Sequence, residues 1–83
     1  MELNFFLKMN IGRQAHYTWK HGRHLEHLAG MHFNRDLYQI EHFFVIIVYN
    51  NELGQVEYID AFRSGDHHLL KFYEQVDISD LFS

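Results

Sequence analysis

The stretch FFVIIVY at positions 43–49, followed by Asn51-Glu52-Leu53-Gly54, constrains the fold of this chain more than any other feature. An unbroken run of large apolar side chains this short is too short for a buried helix and suits a strand covered on both faces. Asn-Glu-Leu-Gly fits a type I turn closed by a glycine in the left-handed region, so Gln55 to Phe62 is the return strand of a hairpin. With Glu52, Leu53 and Gly54 in the loop, Val48 faces Tyr58, Ile46 faces Asp60 and Phe44 faces Phe62 on one side, while Ile47 faces Ile59 on the other. Asp60 then lies on an apolar face, where a carboxylate needs a partner. The favoured reading is that it pairs with an Arg or His or sits at an uncovered part of the sheet; the functional one is an acid, or an acceptor for a ligand, beside Arg63, Ser64 and His67.

Upstream, Leu3, Phe5, Leu7, Met9 and Ile11 alternate with mostly polar residues, and after Gly12 and Arg13 the alternation resumes through Ala15, Tyr17 and Trp19. Only Phe6 breaks the pattern. Period-2 patterning predicts two strands forming a hairpin around Gly12, with Ile11 opposite Ala15, Met9 opposite Tyr17 and Leu7 opposite Trp19. The segment HGRHLEHLAG, residues 21–30, is predicted to be a helix ending at Gly30, with Met31 and Phe33 leaving it as extended chain. Ser64-Gly65-Asp66 supplies an N-cap and an early acid for a second helix over 66–76, with Leu69, Phe72, Tyr73 and Val76 on one face. The expected order is β-β-α-β-β-α. This is a small single α+β domain over 1–83, an antiparallel four-stranded sheet from two hairpins with two helices packed on one face. Residues 76–83 either pack back or form a flexible or docking tail.

With 83 residues and no cysteine, stability must come from packing, and 47% hydrophobic with 17% aromatic residues is far too apolar for a disordered chain. No apolar run approaches the ~18 residues of a membrane span, and the N-terminus lacks the order of a signal peptide, so a cytoplasmic protein is expected. The net charge of −4 is uneven: residues 1–40 carry +2 and residues 41–83 carry −6.

Four histidines fall within residues 21–32. On a helix, His24 and His27 would be neighbours on one flank, a pair able to hold a transition metal if a third ligand came from Glu26, His16, His42 or the His67-His68 pair. The HExxH pattern of zinc hydrolases is absent, since Glu26 precedes His27 and Met31 stands four residues on. The favoured reading is a solvated polar flank, with no metal and no cofactor. An enzyme of the small ribonuclease kind, or a toxin-like one, would draw on Arg63, His67 and His68, with His16 a further candidate, for acid–base work and phosphate contact. Nucleic-acid binding draws on the basic N-terminal half with Tyr17, Trp19 and Phe6, but a pI near 6.0 gives no broad positive field.

A protein-binding module remains, of the inhibitor or immunity type that includes phage anti-defence proteins such as anti-CRISPRs. Its expected target is a larger protein, basic or engaged in nucleic-acid processing. Aromatic anchors beside acids place the expected contact surface at Glu57, Tyr58, Asp60, Tyr73, Glu74, Asp77, Asp80 and Phe82.

Overall fold

The computed structural model describes residues 1–63. Two helices, α1 (Leu3–Lys8) and α2 (Ile11–His21), precede four strands, β1 (Arg23–Leu28), β2 (Phe33–Ile40), β3 (Phe43–Asn50) and β4 (Gln55–Arg63). All neighbouring strands pair antiparallel in the order β1-β2-β3-β4. The α+β class and the four-stranded antiparallel sheet agree with the sequence reading. The order of elements does not: the segments read as a first hairpin are the two helices, and the segment read as a helix is β1. The helix expected over 66–76 and the tail at 76–83 lie outside the described residues.

Phe6 explains the first inversion. It was the one residue out of step with the alternation, and it is fully buried, whereas Phe5 and Leu7 on either side are exposed. Leu3, Phe6 and Met9 instead follow the three-residue spacing of a helical stripe and pack with Tyr17 against Ile40, Phe43, Val45 and Ile47. Burial of a Phe of this kind contributes about 1.5–3 kcal/mol, more than the weaker intrinsic preference for an extended chain can oppose. In α2 the buried pair Ala15 and Thr18 again follows helical spacing, and the Thr18 hydroxyl is satisfied by donating to the Gln14 carbonyl at 2.7 Å. Gly12, read as a hairpin turn, is the second residue of α2, whose N-cap is Asn10: the side-chain Oδ1 accepts from the Arg13 amide at 2.9 Å. Gln14 Nε2 donates to the Phe6 carbonyl and ties the two helices together.

Gly22 stops α2 and donates its amide to the Thr18 carbonyl at 2.7 Å. A Cβ at Gly22 would stand 2.5 Å from that same oxygen, so the helix-to-strand corner needs glycine for close approach. Gly30, read as a helix terminus, instead lies between β1 and β2. Its carbonyl accepts from Asn51 Nδ2 at 2.9 Å, and the Asn51 amide donates to the His32 carbonyl, so the β1–β2 and β3–β4 turns brace one another.

Away from the turn the second hairpin has the expected register, with Val48 opposite Tyr58, Ile47 opposite Ile59, Ile46 opposite Asp60 and Phe44 opposite Phe62; at the turn Asn50 pairs with Gln55, so the loop is residues 51–54 and not Glu52, Leu53 and Gly54 alone. Gly54 has φ 66°, as the turn chemistry requires. Between Val48 and Tyr49 the register shifts, and Glu57 is the extra residue that a bulge absorbs. Ile47 and Val48 point to opposite faces and are both fully buried, so β3 is the two-sided central strand that its composition requires.

Candidate functional site

The histidine segment meets its partner on β2. His24 lies opposite Tyr38 and His27 opposite Asp36, with a register shift between His24 and Glu26. In a regular strand, residues three apart point to opposite faces; the bulge at Leu25 puts both rings on the same side. The Asp36 carboxylate bridges them, its Oδ1 lying 2.9 Å from His24 Nε2 and 2.6 Å from His27 Nδ1. The two imidazoles are half exposed and the carboxylate is mostly covered. A carboxylate only accepts, so the nitrogens that face Asp36 are the donors, and His24 Nδ1 and His27 Nε2 are the ring atoms turned away from it.

Tyr38 stands edge-on to the His24 ring at 5.1 Å. Burial, aided by the charge Tyr49 carries once ionised, by the Asp36 carboxylate and by a hydrogen bond with Tyr49, pushes its hydroxyl up to about 12. Burial also raises Tyr49, against the opposing effect of a hydrogen bond that its hydroxyl accepts from Trp19 Nε1 at 3.0 Å. The result is a band of Trp19, Tyr49, Tyr38 and the His24–Asp36–His27 bridge, with Trp19 half exposed. Its chemistry is that of oriented imidazoles beside neutral phenols, competent for proton transfer or for polar recognition. Among the described residues, no group of three or more His, Asp and Glu side chains could hold a metal ion.

Neighbourhood of His24 and His27 was legible in the sequence, but on a helix, and none of the suggested third groups, Glu26, His16 or His42, is the one found. Asp36 was missed because no local spacing links it to them; only the β1–β2 register does.

The expected contact surface is described in part. Glu57 and Tyr58 are exposed on β4, and Asp60 is half-buried opposite Ile46. Leu53, 65% exposed at the tip of the β3–β4 turn, joins Tyr58, 45% exposed, as an outward apolar group on this hairpin. Asn50 holds the turn, accepting from the Glu52 and Leu53 amides through Oδ1 and donating to Glu57 through Nδ2. Arg63 is exposed at the end of β4; His67, His68, Tyr73, Glu74, Asp77, Asp80 and Phe82 lie outside the described residues.

A separate cleft of about 460 Å³ runs along α2. Met9 and Tyr17 form its floor, and Arg13, His16, Lys20 and His21 line its rim. Among the described residues no helix is long and apolar enough to cross a membrane. No protein-family model, curated protein or solved structure matches the chain.

Proposed function

We propose that the protein is a binding module of the inhibitor or immunity type, including the phage anti-defence kind, which docks on a larger basic or nucleic-acid-processing protein in the cytoplasm. The observation that carries this reading is the β3–β4 hairpin, where Leu53 and Tyr58 are exposed among Glu52 and Glu57. Apolar groups of this size supply buried contact area, and the flanking carboxylates steer a cationic partner. The bulge at Glu57 interrupts the strand ladder and favours side-chain recognition over addition of another strand.

The test is affinity capture from the native host with the wild type, Tyr58→Ala and Glu57→Lys. A partner held by the wild type should be lost with Tyr58→Ala, and should associate more slowly and with weaker salt dependence with Glu57→Lys. Capture of the same partner in equal amount by all three would remove the hairpin from the reading.

The His24–Asp36–His27 bridge favours a second reading, a metal-independent ribonuclease or toxin-like enzyme in which one imidazole takes a proton and the other gives one. Cleavage of RNA by the purified chain that is abolished in both His24→Ala and His27→Ala would establish that reading over the first.

A further inference from the structure

The cleft on α2 concentrates positive charge that the net charge of −4 conceals. Arg13, His16 and Lys20 follow spacings of three and four residues, so they stand in one row about 10 Å long on a helical face. None of the described residues lining the cleft is acidic. The floor differs from the rim: Met9 and Tyr17 are half-buried and packed on the main core cluster, which fixes their positions, and the Tyr17 ring lies 4.5 Å from that of His21. The cleft thus offers a held aromatic–thioether floor beneath two permanent cations and two imidazoles.

From this pairing we propose that the α2 cleft binds one nucleotide unit, with the phosphate between Arg13 and Lys20 and the base against Met9 and Tyr17. A phosphate group with close to two negative charges matches two permanent cations better than a single carboxylate does. The planar face of a base matches a floor built from a ring and a polarisable sulfur. The volume falls in the range of about 300–1,000 Å³ common for small-ligand clefts. The nucleotide is either free, presenting a phosphate monoester with close to two charges, or one unit of a single strand, presenting a diester with one; both set a phosphate beside a base.

Gly12 provides a clean test, because it lines the cleft and a Cβ there would meet only Asn10 Oδ1, at an ordinary 3.5 Å. The full chain is titrated calorimetrically with adenosine monophosphate, ribose 5-phosphate, inorganic phosphate and an eight-residue deoxythymidine oligonucleotide. Adenosine monophosphate should bind at least about tenfold more tightly than ribose 5-phosphate or inorganic phosphate, the difference being the stacked base. Arg13→Ala with Lys20→Ala should weaken it by about tenfold or more through lost charge-assisted bonds, and Gly12→Leu should weaken it by filling the cleft. Thermal melts of the variants, with Gly12→Ala as a reference that adds only a methyl group, separate loss of the site from loss of the fold. An oligonucleotide that binds about a hundredfold more tightly than the monophosphate identifies a strand as the source, and comparable affinities identify the free nucleotide. Equal affinity for all phosphate compounds, or nucleotide binding unchanged in the folded Arg13/Lys20 and Gly12→Leu variants, would overturn the proposal.

Discussion

Strands β1 and β3 belong to the same antiparallel sheet and make opposite use of it. β3 is paired on both sides, and Phe43, Val45, Ile46, Ile47 and Val48 are all buried. β1 is paired on one side only among the described residues; its side chains from Arg23 to His27 are exposed, with only Leu28 packed on a core cluster. Membership of a sheet is therefore a matter of backbone pairing, while stability follows the depth of the side chains. The strand that contributes little to the core is free to carry histidines.

The largest expected difference follows directly. Ile47→Ala removes a fully buried side chain from β3 and should cost about 2–5 kcal/mol in denaturant unfolding, whereas Leu25→Ala at the β1 bulge should stay within about 0.5 kcal/mol. Comparable losses at both sites would mean that β1 shares the core after all. Next is Gly22→Ala, at the corner that delivers β1 from α2. The added Cβ at 2.5 Å from the Thr18 carbonyl forces the backbone to shift, with an expected loss of about 1–3 kcal/mol by the same measurement.

A smaller effect separates the bridge from its arms. Asp36→Ala deprives both imidazoles of their acceptor and should cost about 1–2 kcal/mol, while His24→Ala or His27→Ala leaves the other ring bonded and should cost about 0.5 kcal/mol or less. Chelator should leave all four melts unchanged. A drop above ~5 °C on chelation, on the order of 1 kcal/mol at this size, would assign the bridge to metal binding instead.

The last effect is alkaline. Tyr38 ionises near 10 in the unfolded chain and at about 12 in the folded one, so the native state holds its proton longer. Its stabilising contribution is fully present below pH 10 and is lost as pH rises from 10 towards 12. Ultraviolet titration should find late-ionising phenols, Tyr49 among them, of which Tyr38→Phe removes one, and that variant should lose less stability over this interval than the wild type.

Where burial was two-sided, the sequence alone was enough. The run from Phe43 to Tyr49 reads as the central strand, and the four cross-strand pairs read from sequence occur in the structure, including the awkward Ile46–Asp60 pair, although the loop is one residue longer than expected and the bulge at Glu57 makes up the difference. The N-terminal residues were ambiguous because Leu3, Met9 and Ile11 satisfy period 2 while Leu3, Phe6 and Met9 satisfy helical spacing. The exception to the alternation carried the information: Phe6 needs a core, and only a helix brings it there with Leu3 and Met9. In HGRHLEHLAG, Leu25 and Leu28 fit a helix by spacing, but no local feature reveals that β2 has an open edge to receive the segment.

Local pattern thus determined the central strand and its hairpin partner, because these rest on contacts between residues close in sequence and on side chains with one tolerable environment; the α+β class agrees although the helices and two of the strands lie in other segments than local pattern gave. Tertiary structure decided the rest. The helical state of residues 3–8 and 11–21 depends on a core assembled from β2, β3 and β4, and the meeting of His24 and His27 with Asp36 depends on the β1–β2 register and a bulge at Leu25. The cationic row on α2 likewise exists only once those residues are wound into a helix, since an extended chain would send Arg13 and His16 to opposite faces.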